Sequence, residues 1–338
     1  MPSPTASEAA FSIVFLSLVA GLATGREAEP PAWHYSPDLL RPFWRGTTME
    51  GESVLFLRHA ATGEARASVL FPIIDVSAVR NSAGDITYEE GRDYVWTPGS
   101  REIVLPAGSR IPSSTPDELR RPAGSQKYRL THRDGNGEIF FGGGLEYHAL
   151  QTCVTYRHDA DLWETAVPEY AAVELPRTTH MLLHKRPLKI VLLGDSISAG
   201  CNASGWAESA PYQPAYPELF RRQLTERYQG KVELENFSVG GTATEWALDQ
   251  VEAILAAEPH LVILAFGMND AAGRSAKEYQ TNIAAAMAQI RDSSRRPSSS
   301  WWLRCSAIAI GPHCSPSCFR NTATRWPSCA APAWPWPT

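Results

Sequence analysis

Cysteine is scarce along most of the chain. Cys153 and Cys201 are the only two before residue 300 of 338. No Cys-x-x-Cys pair and no His/Cys cluster at zinc spacing occurs, so no metal site is proposed and no cofactor is expected. The two cysteines can pair in an oxidising compartment, but nothing in the sequence requires it. No excess of positive charge exists either. The formal net charge is −5, which gives no reason to expect a nucleic-acid or acidic-membrane partner. Long hydrophobic runs are also missing. The apolar stretch "AAFSIVFLSLVAGL", 9–22, is about 14 residues, short of the ~20 that span a bilayer. No cysteine follows it directly, so no lipoprotein anchor, and no membrane anchor of any kind, is expected. The last absence is chemical. After Asp292 there is no acidic residue, and His313 is the sole histidine.

What is present divides into four parts. Residues 1–25 read as an export leader: the apolar run is followed by "ATGRE", with small Ala23 and Gly25 at cleavage spacing. Glu8 departs from that pattern, since Lys or Arg is usual there. The expected location is secreted or periplasmic. Residues 33–180 contain short β-branched and aromatic runs ("ESVLFLRH", "ASVLFPIIDVSAV", "REIVLP", "KYRLTHR", "HALQTCVTYRH") separated by Gly, Pro, Asn and Asp. That rhythm predicts an antiparallel, jelly-roll-like β-sandwich. From Pro187 the pattern becomes strand, helix, strand, helix. "LKIVLLG", "KVELENFSV" and "HLVILAFG" are strands. "YPELFRRQLTERYQG" predicts a helix that stops at Gly230, and "TEWALDQVEAILAAEP" one helix with Thr244 as N-cap. "SAKEYQTNIAAAMAQIRD" predicts a third. Fully apolar strands alternating with helices imply a parallel sheet covered on both faces, with ligands at the carboxyl ends of its strands.

Three short motifs fall at those ends. "GDS" (Gly194–Ser196) follows the first strand, "NFSVGGT" (Asn236–Thr242) the second and "GMND" (Gly267–Asp270) the third. Each alone is weak and has an ordinary explanation as a turn or cap. In this order, on one βαβ series, they resemble the SGNH (GDSL-type) hydrolase family over residues 187–296. The resemblance implies a flavodoxin-like three-layer α/β/α domain in which Ser196 attacks an ester carbonyl. It also implies that the Ser196 and Gly241 backbone N–H groups and the Asn269 amide hold the oxyanion. One such donor is typically worth ~10²–10³ in rate. Asp195, Gly240 and Asp270 support these residues, and Gly241 suits close backbone approach because it lacks a Cβ. A β-sandwich ahead of such a domain resembles two-domain carbohydrate esterases, which implies a small-molecule or polysaccharide ester substrate and removal of acetyl groups. Trp206 and Trp246, in or beside the site loops, are candidates for stacking on a sugar, with core packing equally open. Two alternatives stand beside this one: a glycan-binding protein with a relic hydrolase domain, and an SGNH enzyme acting on lipid esters or thioesters.

The family's fourth block, Asp-x-x-His, is absent. His180, His184 and His260 lie outside its expected place, and His260 starts the third strand, at the wrong end of the sheet. The segment 297–338 is rich in Trp, Pro and Cys, shows no helical or strand period, and begins where a fourth strand is due. Read one base out of frame, Trp and Cys codons all become Leu, Met or Val. A strand, a loop and an amphipathic helix can then be written for 299–338. We therefore expect 297–338 to be frameshifted, the sheet to lose its later strands, and Ser196 to lack its base.

Overall fold

The computed structural model describes residues 34–125, 131–132, 135–140, 145–164, 167, 170 and 172–293, with 306–310 and Leu39 given by backbone alone. They belong to one unit, 33–338. The expected leader, most of "KYRLTHR", His313 and nearly all of 297–338 fall outside the described residues.

The first part begins with a 3-10 turn, Pro37–Leu40, followed by β1 (Thr48–Leu55), β2 (Leu57–Arg58), β3 (Ala65–Ser68), β4 (Asp75–Asn81), β5 (Val95–Trp96) and β6 (Glu102–Leu105). Then come β7 (Arg120–Arg121), β8 (Glu138–Ile139), a single helical turn α1 (Glu146–Ala149) and β9 (Gln151–Arg157). One antiparallel sheet runs β1-β9-β4, a second β2-β3-β6-β5, and β7 pairs with β8. Residues alternate in and out along β3 and β9, as a half-buried strand requires. The inward set from both larger sheets shares one apolar cluster: Val54, Val79, Val154 and Tyr156 from one, Ala67 and Ile103 from the other. The β1–β9 register shifts between Met49 and Glu52, where Gly51 takes φ +59°. This is a bulge at a residue without a Cβ penalty. The bulge sets Glu52 to accept the Tyr156 hydroxyl at 2.7 Å, and that hydroxyl accepts the Phe71 N–H at 3.0 Å.

The second part is α2 (Pro176–Leu183), β10 (Leu188–Gly194), α3 (Ser196–Ala199), α4 (Tyr216–Tyr228), β11 (Val232–Asn236), α5 (Thr244–Asp249), α6 (Val251–Ala256), β12 (Leu261–Ala265), α7 (Ala276–Ser293) and β13 (Ser306–Ile310). The sheet is parallel throughout, in the order β11-β10-β12-β13. Successive residues of β10 and β12 serve opposite faces. Val191, Leu193, Val262 and Leu264 pack with Val251, Ile254, Ile283 and Ile290 of α6 and α7. Ile190, Leu192, Leu261 and Ile263 pack with Leu182 of α2 and with Phe220 and Leu224 of α4. Both faces are therefore helix-covered, as the unbroken apolar strands predict.

Four local expectations are corrected. The helix expected over 244–258 is divided at Gln250, which is the C-cap of α5 and the N-cap of α6. Thr244 is the first residue of α5 and not its N-cap; the cap position is Ala243, which has no side-chain oxygen. α4 ends at Tyr228, and the stop lies at its C-cap Gln229, in the left-handed region at φ +54°, rather than at Gly230. The largest correction concerns the tail. Ser306–Ile310 forms β13, paired from Leu261↔Ser306 to Ala265↔Ile310, so β12 is an interior strand. The apolar run "SAIAI" suits such a strand, and the Trp and Pro around it obscured the signal.

Candidate active site

β10 ends at Gly194, where crowding leaves room for hydrogen only. A Cβ there would lie 2.5 Å from both the Ala265 carbonyl oxygen and the Ser198 Oγ. Gly194→Ala is expected to destabilise by about 3 kcal/mol or more, because the nearest obstacle is backbone and cannot turn aside. Urea unfolding measures this, and a loss below 1 kcal/mol would show that the strands can part at no great cost. The chain then turns at Asp195, which is extended (φ −91°, ψ −158°) and buried. Its Oδ1 accepts the Ile197 N–H at 2.9 Å and so caps α3. Ser196 is the first residue of α3, half-buried, and no described residue hydrogen-bonds its hydroxyl.

The segment after β11 continues alongside β10. Phe237 N–H donates to Leu192 O at 2.8 Å and Val239 N–H to Gly194 O at 3.1 Å. The Thr242 hydroxyl donates to Val239 O at 2.8 Å. Gly240 is thereby laid against Ser196: a Cβ on it would be 3.6 Å from the Ser196 Cβ. Nothing in the protein lies within 4 Å of the Cβ position of Gly241, and its φ of +83° favours glycine.

After β12 the chain passes Met268, which is exposed, to Asn269 and Asp270. Asn269 Nδ2 donates to Thr242 O at 2.8 Å, which leaves its second amide hydrogen available. Asp270 is buried, and its Oδ1 accepts the Thr244 N–H at 3.1 Å and the Thr244 hydroxyl at 2.5 Å. Asn282 Nδ2 of α7 in turn reaches the Thr244 Oγ1 at 3.1 Å. By sequence Thr242 was only the last residue of the second motif and Thr244 only a helix cap, and Asn282 was not singled out. The two threonines stand two apart in "GGTAT", but Asn282 lies 38 residues from Thr244 and gave no signal.

The two tryptophans part company. Trp246 packs against the cluster under α5–α7, a core position. Trp206 is 49% exposed, with its Cδ1 3.6 Å from the Cβ position of Gly200 at the end of α3. Cys153 and Cys201 are both free thiols. His260 Nδ1 accepts the Lys189 N–H at 2.9 Å, at the start of β10. Seven residues of extended chain, about 20 Å, separate that point from Ser196. His180 and His184 stack on each other in α2, with ring centroids 4.0 Å apart. No described histidine has a hydrogen bond to any of the three loops.

Residues 192–322 match the family model of GDSL-like lipases/acylhydrolases. Over this segment the chain is similar to GDSL-like lipases/acylhydrolases. The match runs past the boundary expected at 296 and takes in β13. No curated protein matches the chain. Solved structures similar to it include a two-domain esterase active on acetylated mannans, co-crystallised with mannopentaose (20% identity, TM-score 0.29, covering 41% of this chain and 34% of that one). An acetyl xylan esterase is similar at 19% identity and TM-score 0.28, covering 36% and 57%. The psychrotrophic esterase EstA from Pseudoalteromonas sp. is similar at 23% identity and TM-score 0.26, covering 37% and 61%. The chain thus spans about a third of the length of the two-domain esterase. Among the described residues of the chain no helix is long and apolar enough to cross a membrane, and no group of three or more His, Cys, Asp or Glu is placed to hold a metal ion.

Proposed function

We propose that the chain carries a serine ester-hydrolase site centred on Ser196. The observation that carries this is the joining of three loops at one end of the sheet. Gly240 lies against Ser196, Val239 is tied to Gly194, and Asn269 is tied to Thr242. In this reading the Ser196 hydroxyl attacks the ester carbonyl carbon. The Ser196 and Gly241 N–H groups and the second Asn269 amide hydrogen take the negative charge on its oxygen; collapse of the adduct expels the alcohol, which carries off the serine proton, and water then cleaves the acyl–Ser196 ester to release the acid and restore the hydroxyl. Asp195 caps the turn that presents Ser196, and Asp270 holds the start of α5. We read the second part as a flavodoxin-like three-layer domain and the first as a β-sandwich. The order of the two suggests an O-acetylated carbohydrate as substrate, with the exposed Trp206 offering an aromatic face. Export through residues 1–25 belongs to the same proposal.

The proton of Ser196 has no acceptor among the described residues, so the chain is expected to be impaired. The frameshift of 297–338 remains our explanation, although β13 and the family match to 322 weigh against its starting as early as 297. Reading the source DNA from codon 285 onward tests it. An inserted or deleted base whose correction leads to Asp-x-x-His supports an esterase with a damaged C-terminus. A confirmed frame leaves Ser196 without an evident base and favours a degenerate or binding role.

A further inference from the structure

The loop that carries Asn269 is braced from behind by α7. Asp270 is 2% exposed, and only one of its carboxylate oxygens has a hydrogen-bond partner among the described residues. That oxygen, Oδ1, takes both of its bonds from one residue, the fully buried Thr244. The hold on the Asp270 side chain therefore depends on which way the Thr244 hydroxyl points. A hydroxyl turns to suit whichever partners it has. Here the second partner is Asn282, whose Nδ2 donates to the Thr244 Oγ1 at 3.1 Å and leaves the hydroxyl's own proton for Asp270. Tyr279, three residues earlier on the same face of α7, donates its hydroxyl to the Phe266 carbonyl oxygen at 3.4 Å, where the loop begins. Ile283, next to Asn282, is buried in the cluster under α6 and α7, so the brace stands on a packed helix. Asn269 caps the 3-10 turn Asp270–Ala272. Its side chain is tied to Thr242, but its backbone goes where Asp270 goes.

We infer that Asn282 is a positioning residue for the ester-hydrolase site. Acting through Thr244 and Asp270, it holds Asn269 in place against the segment 241–244. It touches neither substrate nor reacting atoms. The inference rests on the reading of Asn269 as an oxyanion donor. Such a donor works because it is already in place when charge develops, and a misplacement of about 1 Å from a remote change can cost ~10² in rate.

The test is a double-mutant cycle on the residual hydrolysis of an aryl acetate by the full chain. Asn282→Ala should lower kcat about tenfold and leave KM nearly unchanged, because the loss falls on charge that appears only after binding. In an Asn269→Ala background the same substitution should change kcat by less than about twofold, since the group it positions is gone. Thr244→Val should match Asn282→Ala, whereas Thr244→Ser keeps the hydroxyl and should keep kcat near that of the parent chain. Ile283→Val trims the neighbouring core contact. It should lower stability to urea and leave kcat unchanged, which separates positioning from stability. An unchanged kcat in Asn282→Ala, a loss taken in KM, a tenfold loss that persists without Asn269, Thr244→Ser as damaged as Thr244→Val, or an equal loss of kcat in Ile283→Val would each overturn the inference. Failure of the oxyanion reading looks different: Asn269→Ala alone would leave the rate unchanged, and the inference would fall with it.

Discussion

Ser196→Ala is expected to leave the rate of this chain on an aryl acetate almost unchanged, whereas Asn269→Ala should lower it by ~10²–10³. The asymmetry follows from the missing base. In serine hydrolases the nucleophile and its base act as one unit: removing either costs ~10⁴–10⁶, and removing the second adds little. What then survives is the oxyanion site and binding, worth ~10³–10⁴ over water. In this chain the Ser196 hydroxyl has no hydrogen-bond partner among the described residues, while Asn269 is held at 2.8 Å on Thr242 with one amide hydrogen to give. A residual rate should therefore depend on Asn269 and not on Ser196. Release of nitrophenolate, corrected for buffer hydrolysis, measures it. A fall of a hundredfold or more on Ser196→Ala alone would mean that a base reaches the serine after all.

The second large effect is expected in stability. Asp93→Ala should cost about 3 kcal/mol at pH 7, because it strips the partner from groups that face a fully buried carboxylate. Asp93 has no exposed surface. Its Oδ2 accepts Arg110 Nη2 at 2.5 Å and the Glu89 N–H at 2.8 Å, and its Oδ1 accepts Arg110 Nε at 2.9 Å. These bonds join the 89–94 turn to the segment that follows β6. The Arg110 guanidinium holds the carboxyl well below the usual range, against the opposing effect of burial and with help from the two backbone N–H donors. The folded-state pKa is depressed. The contribution is therefore complete above about pH 4, the ordinary carboxylate value, and is lost as pH falls below it toward the folded-state value. Urea unfolding at pH 7 and pH 3 should show the wild type losing stability towards the variant, and the variant changing less. Parallel pH dependences would assign the acid sensitivity to other carboxylates. Glu218, held at about 2 by Arg221 and Arg222, is the next candidate.

Much of the parallel sheet was legible because β10 and β12 are continuous apolar runs that must be covered twice, and the helices between them keep a helical period. The three motifs were legible because they sit where those runs stop. What joins them was not. The contacts Asn269–Thr242 and Asp270–Thr244 connect residues 26–27 apart in sequence, and only the parallel register of β10, β11 and β12 brings them together. Gly240 and Gly241 look alike in sequence, yet only Gly241 has a backbone angle that favours glycine, while a Cβ on Gly240 would make ordinary contact with Ser196. For Trp246, where stacking on a sugar and core packing were equally open by sequence, the structure shows packing against the apolar cluster under α5–α7. β13 went unseen because four apolar residues after Ser306 carry little signal among Trp, Cys and Pro.

The most direct test of the site is chemical rescue. Hydrolysis of an aryl acetate is followed with increasing imidazole for the chain and for Ser196→Ala, whose imidazole-dependent rate serves as the solution background. If Ser196 is a nucleophile lacking only its base, imidazole should raise the rate of the chain above that background with saturation, and the increment should vanish in Ser196→Ala. Identical imidazole dependence in both proteins would contradict a nucleophilic Ser196. A full hydrolase rate without imidazole would contradict the missing base.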